Sequence, residues 1–112
     1  EAGLRDRADE LLDDAMALQD AGAFAVVVEM VRAEAAKRIT EGLSIPTVGI
    51  GAGPDCDAQV LVWSDMAGMN TQQAPRFVKR YADLGGTLAN AAAQFAEDVR
   101  ERTFPTQEHS FH

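Results

Sequence analysis

Residues 24–53, FAVVVEMVRAEAAKRITEGLSIPTVGIGAG, decide the fold. Phe24, Ala25, Val26, Val27 and Val28 are five apolar residues in succession, three of them β-branched valines, a run suited to a strand buried on both faces as in a parallel sheet. Over residues 33–43 the apolar positions Ala36, Ile39 and Leu43 recur at helical spacing, with Glu34, Lys37, Arg38 and Glu41 between them. That pattern predicts a covering helix. Gly42 near its end and Pro46 shortly after are stop signals, and residues 47–50 begin a second strand. The unit reads as β-α-β.

Upstream, Leu4, Ala8, Leu11, Leu12, Ala15, Met16 and Leu18 form a helical stripe, with Asp6, Asp9, Glu10, Asp13 and Asp14 outside it as a solvated face. Gly22 then reads as a C-terminal stop that turns the chain into the first strand. Downstream, Gly49 to Asp55 is too glycine-rich to be regular and reads as a strand-end loop. QVLVW, residues 59–63, predicts a third short strand. Pro75 reads as the first residue of a helix whose stripe is Phe77, Val78, Tyr81 and Leu84, ended by Gly85 and Gly86. Leu88, Ala92, Phe95 and Val99 predict a last helix reaching about Arg102, and residues 103–112 read as a loop tail. The fold class is α/β, with three parallel strands and covering helices.

A chain of 112 residues with ordinary globular composition has room for one core. A net charge of -8 and a pI near 4.5 argue against nucleic acid or an anionic membrane surface as partner, since both would repel it. No apolar run approaches the roughly 20 residues of a membrane span, and the acidic N-terminus lacks a signal-peptide pattern. The expectation is a soluble cytoplasmic protein. Cys56 is the only cysteine, so an internal disulfide is excluded.

The first candidate for chemistry is Glu29, because loops at the carboxyl ends of strands converge where α/β sheets bind ligands. A carboxylate ending a buried strand is placed to act as a general base, although the residues alone leave open an ordinary strand-end role. GIGAG, residues 49–53, has only part of a dinucleotide fingerprint, and its glycines equally permit a tight turn. Cys56 has no adjacent base to activate it as a nucleophile. Asp55, Asp57 and Asp65 lack the spacing of a calcium loop and default to capping and turn roles. His109 and His112 have no nearby cysteine or third histidine, so no metal site is expected from them.

AGAFAVVVEMV at 21–31, AEAAKRITEGLSIPTVGIGAGPDCDAQVLVWSDMAG at 33–68, PRFVKRYADLGG at 75–86 and FPTQEHSF at 104–111 closely resemble the ketopantoate hydroxymethyltransferase family, its actinobacterial members above all. The resemblance covers nearly the whole chain. It implies the C-terminal portion of a (β/α)₈ barrel of the phosphoenolpyruvate-mutase and isocitrate-lyase type, assembled as a homodecamer. It also implies a reaction. Family members bind 3-methyl-2-oxobutanoate with magnesium, remove its C3 proton, and add a one-carbon unit from 5,10-methylenetetrahydrofolate to give 2-dehydropantoate for pantothenate synthesis. Glu29 matches the family's general base. Ile50 and Val62 match apolar positions of its keto-acid pocket, and Val60 joins them.

A barrel of this type requires roughly 200 residues or more. The resemblance therefore implies that the magnesium aspartates and the lysine on the keto acid belong to an N-terminal portion outside these residues. Arg32, Ala58 and Ser64 depart from the family pattern. Arg32 stands for a proline and adds a cation beside Glu29, which weakens a carboxylate as a base, and Ala58 stands for a glycine that a positive φ would require. Two readings follow: an enzyme portion completed by another chain, or a truncated non-catalytic remnant acting as an assembly or interaction module. Open sheet edges make oligomerisation or a partner an expectation of both.

Overall fold

The helix after the valine run forms as its pattern requires, but the run itself is corrected: the strand begins at Val26 rather than Phe24 and is buried on one face, not both, because Val27 is 62% exposed. In the computed structural model, which describes residues 7–70 and 72–112, β1 is Val26–Glu29, α2 is Ala33–Gly42 and β2 is Thr47–Ile50, preceded by α1 at Ala8–Asp20. A short β3, Ala58–Gln59, completes a parallel sheet of order β1-β2-β3. Leu4 and Asp6 of the expected first stripe lie outside the described residues.

The chain divides into two units. One comprises the chain up to Val62 with Pro75–Val78; the other comprises Trp63–Ala74 and Lys79–His112. In the first, register fixes which residues share a face. Val26 pairs with Thr47 and Val28 with Gly49, while Val27 pairs with Val48 and Glu29 with Ile50. Laterally paired residues of a parallel ladder point to the same side. Val28 is 5% exposed and Val27 62%, so only the Val26/Val28 face is covered. What covers it is α1 and α2, through Ala15, Ala35, Ala36 and Ile39, with Leu11, Leu12 and Leu43 around them. The opposite face, carrying Val27, Glu29, Val48, Ile50 and Ala58, has no helix of the described residues on it in this unit.

Two polar links hold the amino end of β2. Gln19 Oε1, at the end of α1, accepts from the Ser44 and Ile45 N–H groups at 2.6 and 3.2 Å. Thr47 is fully buried, and its N–H donates to Asp57 Oδ2 at 2.8 Å. Asp57 thus has the turn-fastening role expected of it. Gly22, at φ +105°, ends α1 as read.

Three further expectations, on the third strand and the two downstream helices, are corrected. The 59–63 strand shrinks to Ala58–Gln59, and Trp63–Met66 is a short helix, α3. The apolar run has no second partner, because β3 is an edge strand; after Val60 donates its N–H to Gly49 O at 3.0 Å, no further ladder bond holds it extended. No helix starts at Pro75; the chain makes a turn there, with the Val78 N–H donating to Pro75 O at 3.0 Å. Gly85 and Gly86 do not stop a helix but lie in the first turn of α4, Leu84–Arg100, capped by Asp83, whose carboxylate accepts from the Gly86 N–H at 3.1 Å. The Gly85 N–H donates to Gly68 O at 2.8 Å, and a Cβ on Gly85 would sit 2.5 Å from Met69 O. Close backbone approach, rather than helix termination, is what that glycine serves.

The tail is more ordered than a loop. Gln107–His109 is a 3₁₀ turn whose His109 Nδ1 accepts from the Thr106 N–H at 3.2 Å. The Phe104 ring lies between Phe95 and His109, with centroids 5.6 and 5.0 Å away. No helix among the described residues is long and apolar enough to cross a membrane.

Candidate functional site

β1 ends on Glu29 and β2 on Ile50, and the two are direct lateral partners. Glu29 is exposed, and its neighbours on that face are Val27, Val48 and Ile50. The sequence-predicted base and one predicted pocket residue therefore stand side by side. Val60 follows Ala58, which lies on this face, and is bonded through its backbone to Gly49. Val62 lies past the ladder, and register does not assign it a side; Val60 and Val62 are 47% and 49% exposed. The result is a carboxylate at the rim of an apolar surface. Such a group can take a proton from a carbon acid resting on that surface.

Behind Glu29 the backbone is tied once to the end of β2 and once to the loop after it. The Met30 N–H donates to Ile50 O at 2.9 Å and the Val31 N–H to Gly51 O at 3.2 Å. Met30 itself has φ +51°. The glycine loop after β2 is shaped by Gly51 and Gly53 at φ +66° and +81°, with Ala52 between them buried in the core. Gln59 Nε2 donates to Gly53 O at 3.0 Å and braces the loop. Phe77 lies against Gly51, and with Gln59 the loop lines an open cleft of about 460 Å³. A second cleft of about 220 Å³ runs along the free edge of β1, lined by Leu11, Asp14, Leu18, Val26 and Glu29 among others.

Sequence reading missed Met30, Gln59 and Phe77. Nothing in a methionine signals a left-handed backbone, and Phe77 belongs to a stripe that reads as helical. Cys56 is packed against the core, and its surroundings hold no partner set for chemistry: among the described residues no group of three or more His, Cys, Asp or Glu side chains could hold a metal ion. Of the departures from the family pattern, Arg32 precedes the first turn of α2 as its N-cap residue, and Ser64 lies within α3. Ala58 sits in β3 and is not among the positive-φ residues, so the strain expected of an alanine replacing glycine is absent.

The sequence profile of the ketopantoate hydroxymethyltransferase family matches residues 2–107. Among curated proteins, the chain is 70% identical over 109 residues to a 3-methyl-2-oxobutanoate hydroxymethyltransferase of Saccharopolyspora erythraea, covering 97% of this chain and 37% of that protein. It is 60% identical to proteins of the same name from Mycobacterium ulcerans and Mycobacterium tuberculosis H37Rv, covering 97% of this chain and 37% and 39% of theirs. The chain thus spans less than two fifths of the length of these relatives. Three parallel strands with their helices agree with a match across residues 2–107 and with 60–70% identity to these relatives, and the chain belongs to the ketopantoate hydroxymethyltransferase family.

Proposed function

We propose that these residues are the C-terminal portion of a 3-methyl-2-oxobutanoate hydroxymethyltransferase, built as a (β/α)₈ barrel, and that Glu29 is its general base. The observation that carries this reading is the pairing of Glu29 with Ile50 on the uncovered apolar face. In a closed barrel that face is the interior, and residues at the carboxyl ends of its strands meet the substrate. Glu29 takes the C3 proton of 3-methyl-2-oxobutanoate, and Ile50, Val60 and Val62 hold its isopropyl group. The carbanion equivalent so formed bonds to the one-carbon unit of 5,10-methylenetetrahydrofolate, which water frees at the formaldehyde level as both of its C–N bonds break; tetrahydrofolate leaves, the water oxygen becomes the new hydroxyl, and the product is 2-dehydropantoate for pantothenate synthesis. Proton removal next to a carbonyl requires stabilisation of the developing oxyanion. Magnesium, with ligands outside these residues, belongs to the same proposal, as do assembly into a homo-oligomer and a cytoplasmic location.

The test is deuterium exchange at C3 of the keto acid, followed by NMR with magnesium, for the chain alone and with the N-terminal portion of the S. erythraea relative. Exchange that requires both pieces and disappears in Glu29→Gln supports the proposal. An active Glu29→Gln mixture overturns the assignment of the base. The uncovered apolar face also favours a second reading, a non-catalytic assembly module; stable association of the two pieces with no exchange selects it.

A further inference from the structure

Two non-glycine residues among those described have a positive φ, Met30 and Arg102. Arg102 follows the end of α4, where a left-handed residue is common. Met30 has no such excuse. It lies between a strand that ends at Glu29 and a helix that begins at Ala33.

Its hydrogen bonds show what the conformation does. Successive N–H groups of an extended strand point to opposite sides, so one neighbour normally receives every second one. Here the N–H groups of Met30 and Val31 both reach the same neighbouring segment, on Ile50 O at the end of β2 and on Gly51 O in the loop that follows it. Side-chain alternation breaks at the same place. Val28 lies in the helix-covered core and Glu29 on the open face, so an extended chain would put Val31 on the open face as well. Val31 is instead 5% exposed and part of the core. The left-handed residue acts as a bulge does, re-aiming the chain beside a site. Glu29 is left as an exposed carboxylate with buried anchors on both sides, Val28 and Val31.

We propose that Met30 is a positioning residue, whose left-handed backbone sets the placement of the Glu29 carboxylate through the Val31 anchor. This rests on the reading of Glu29 as the base. The property that matters is tolerance of positive φ, not the methionine side chain. Asparagine tolerates that conformation and isoleucine does not.

The experiment uses a full-length chimaera in which this chain follows the N-terminal portion of the S. erythraea relative. In it, kcat and KM for the keto acid and the rate of C3 exchange are measured, with folding checked by circular dichroism. Met30→Ile is expected to lower kcat and C3 exchange by about 10- to 100-fold, the scale of a misplacement near 1 Å, with KM little changed. Met30→Asn is expected to keep the parent values within about twofold, as rescue by a residue that favours the same backbone. The proposal is overturned by Met30→Ile with the parent kcat, by Met30→Asn as impaired as Met30→Ile, or by a change confined to KM. Should Met30→Ile not fold, a crystal structure of the parent chimaera with keto acid decides. A negative φ at Met30 overturns the proposal, and a positive φ with the Glu29 carboxylate in hydrogen-bonding reach of C3 supports it. Glu29→Gln separates the two levels: its full activity removes the base assignment itself, whereas its inactivity beside an active Met30→Ile removes only the positioning role.

Discussion

Replacing Asp57 by alanine should destabilise the chain by about 2 kcal/mol, and the magnitude follows from counting hydrogens. Thr40 Oγ1 donates its one hydrogen to Ala36 O at 2.8 Å, so in its 2.9 Å contact with Thr47 Oγ1 the donor is Thr47. That leaves the 3.3 Å approach of Thr47 Oγ1 to Asp57 Oδ2 a minor share of the same hydrogen. The Asp57 carboxylate therefore matters through the backbone, accepting from the Thr47 N–H at 2.8 Å. Thr47 is 0% exposed while Asp57 is exposed, so the one replacement open to the Thr47 N–H is a water ordered where the carboxylate stood, which keeps the cost below the top of the usual range. An orphaned buried donor costs ~1–3 kcal/mol. With a urea slope of about 2 kcal/mol per M, the unfolding midpoint falls by about 1 M, read by circular dichroism on the full chain. Amide exchange at Thr47 should accelerate about 30-fold, the same free energy seen locally. Asp57→Asn keeps an acceptor and should lose less than half as much. An Asp57→Ala midpoint within 0.2 M of the parent (~0.4 kcal/mol at that slope), or an asparagine variant as unstable as the alanine one, would refute the reasoning.

Gly49→Ala should cost about 1–3 kcal/mol by overpacking, since the new Cβ falls 2.9 Å from Cys56 Sγ; Cys56→Ala in the same chain should recover part of it in urea unfolding. Glu29→Gln should leave the urea midpoint within error of the parent, because the side chain is exposed, while removing C3 exchange in the chimaera. Arg38→Ala should change stability by less than about 1 kcal/mol although Arg38 Nη2 stands 2.6 Å from Asp9 Oδ1, because both side chains are more than half exposed; a double-mutant cycle measures it. Val27→Ser should reduce binding of an apolar fluorescent dye by the chain alone, and should weaken association with the N-terminal portion, because Val27 is an exposed valine on the uncovered face.

What the sequence discloses depends on who supplies the partner of each segment. β1, α2 and β2 are legible because their apolar residues find partners inside the quoted stretch and in α1. QVLVW fails as a five-residue strand because half of its evidence is a neighbour on the far side, which this edge of the sheet does not have. Gly85 and Gly86 mislead for a related reason: the backbone of Gly68 and Met69 leaves no room for a Cβ at Gly85, the capping carboxylate of Asp83 leaves little at Gly86, and neither demand leaves a periodic trace. At the candidate site, the acid at a strand end is visible from composition alone, since few other positions in a β-α-β unit offer a carboxylate so much. The residue that fixes its aim is invisible, because methionine is chosen there for nothing a propensity scale records.

The unit of three strands separates its tasks by end. At the amino end of β2 the polar atoms are paired: Gln19 on the Ser44 and Ile45 amides, Asp57 on Thr47, and Thr40 beside it. At the carboxyl ends of β1 and β2 lie the departures from regular backbone: Met30, Gly51 and Gly53 at positive φ, and Gly51 pressed by Phe77. A left-handed non-glycine residue such as Met30 persists only where the surroundings fix it, and in barrels the carboxyl ends carry chemistry while the amino ends carry stability. The two sets of variants should therefore separate in the chimaera. Asp57→Ala and Gln19→Ala should lower the urea midpoint with kcat unchanged below it, whereas Glu29→Gln and Met30→Ile should lower kcat by far more than their effect on the midpoint can explain. If loss of kcat instead tracks loss of stability along one line through all four variants, the ends have no division of labour and the deviations at Met30 and Gly51 are features of packing alone.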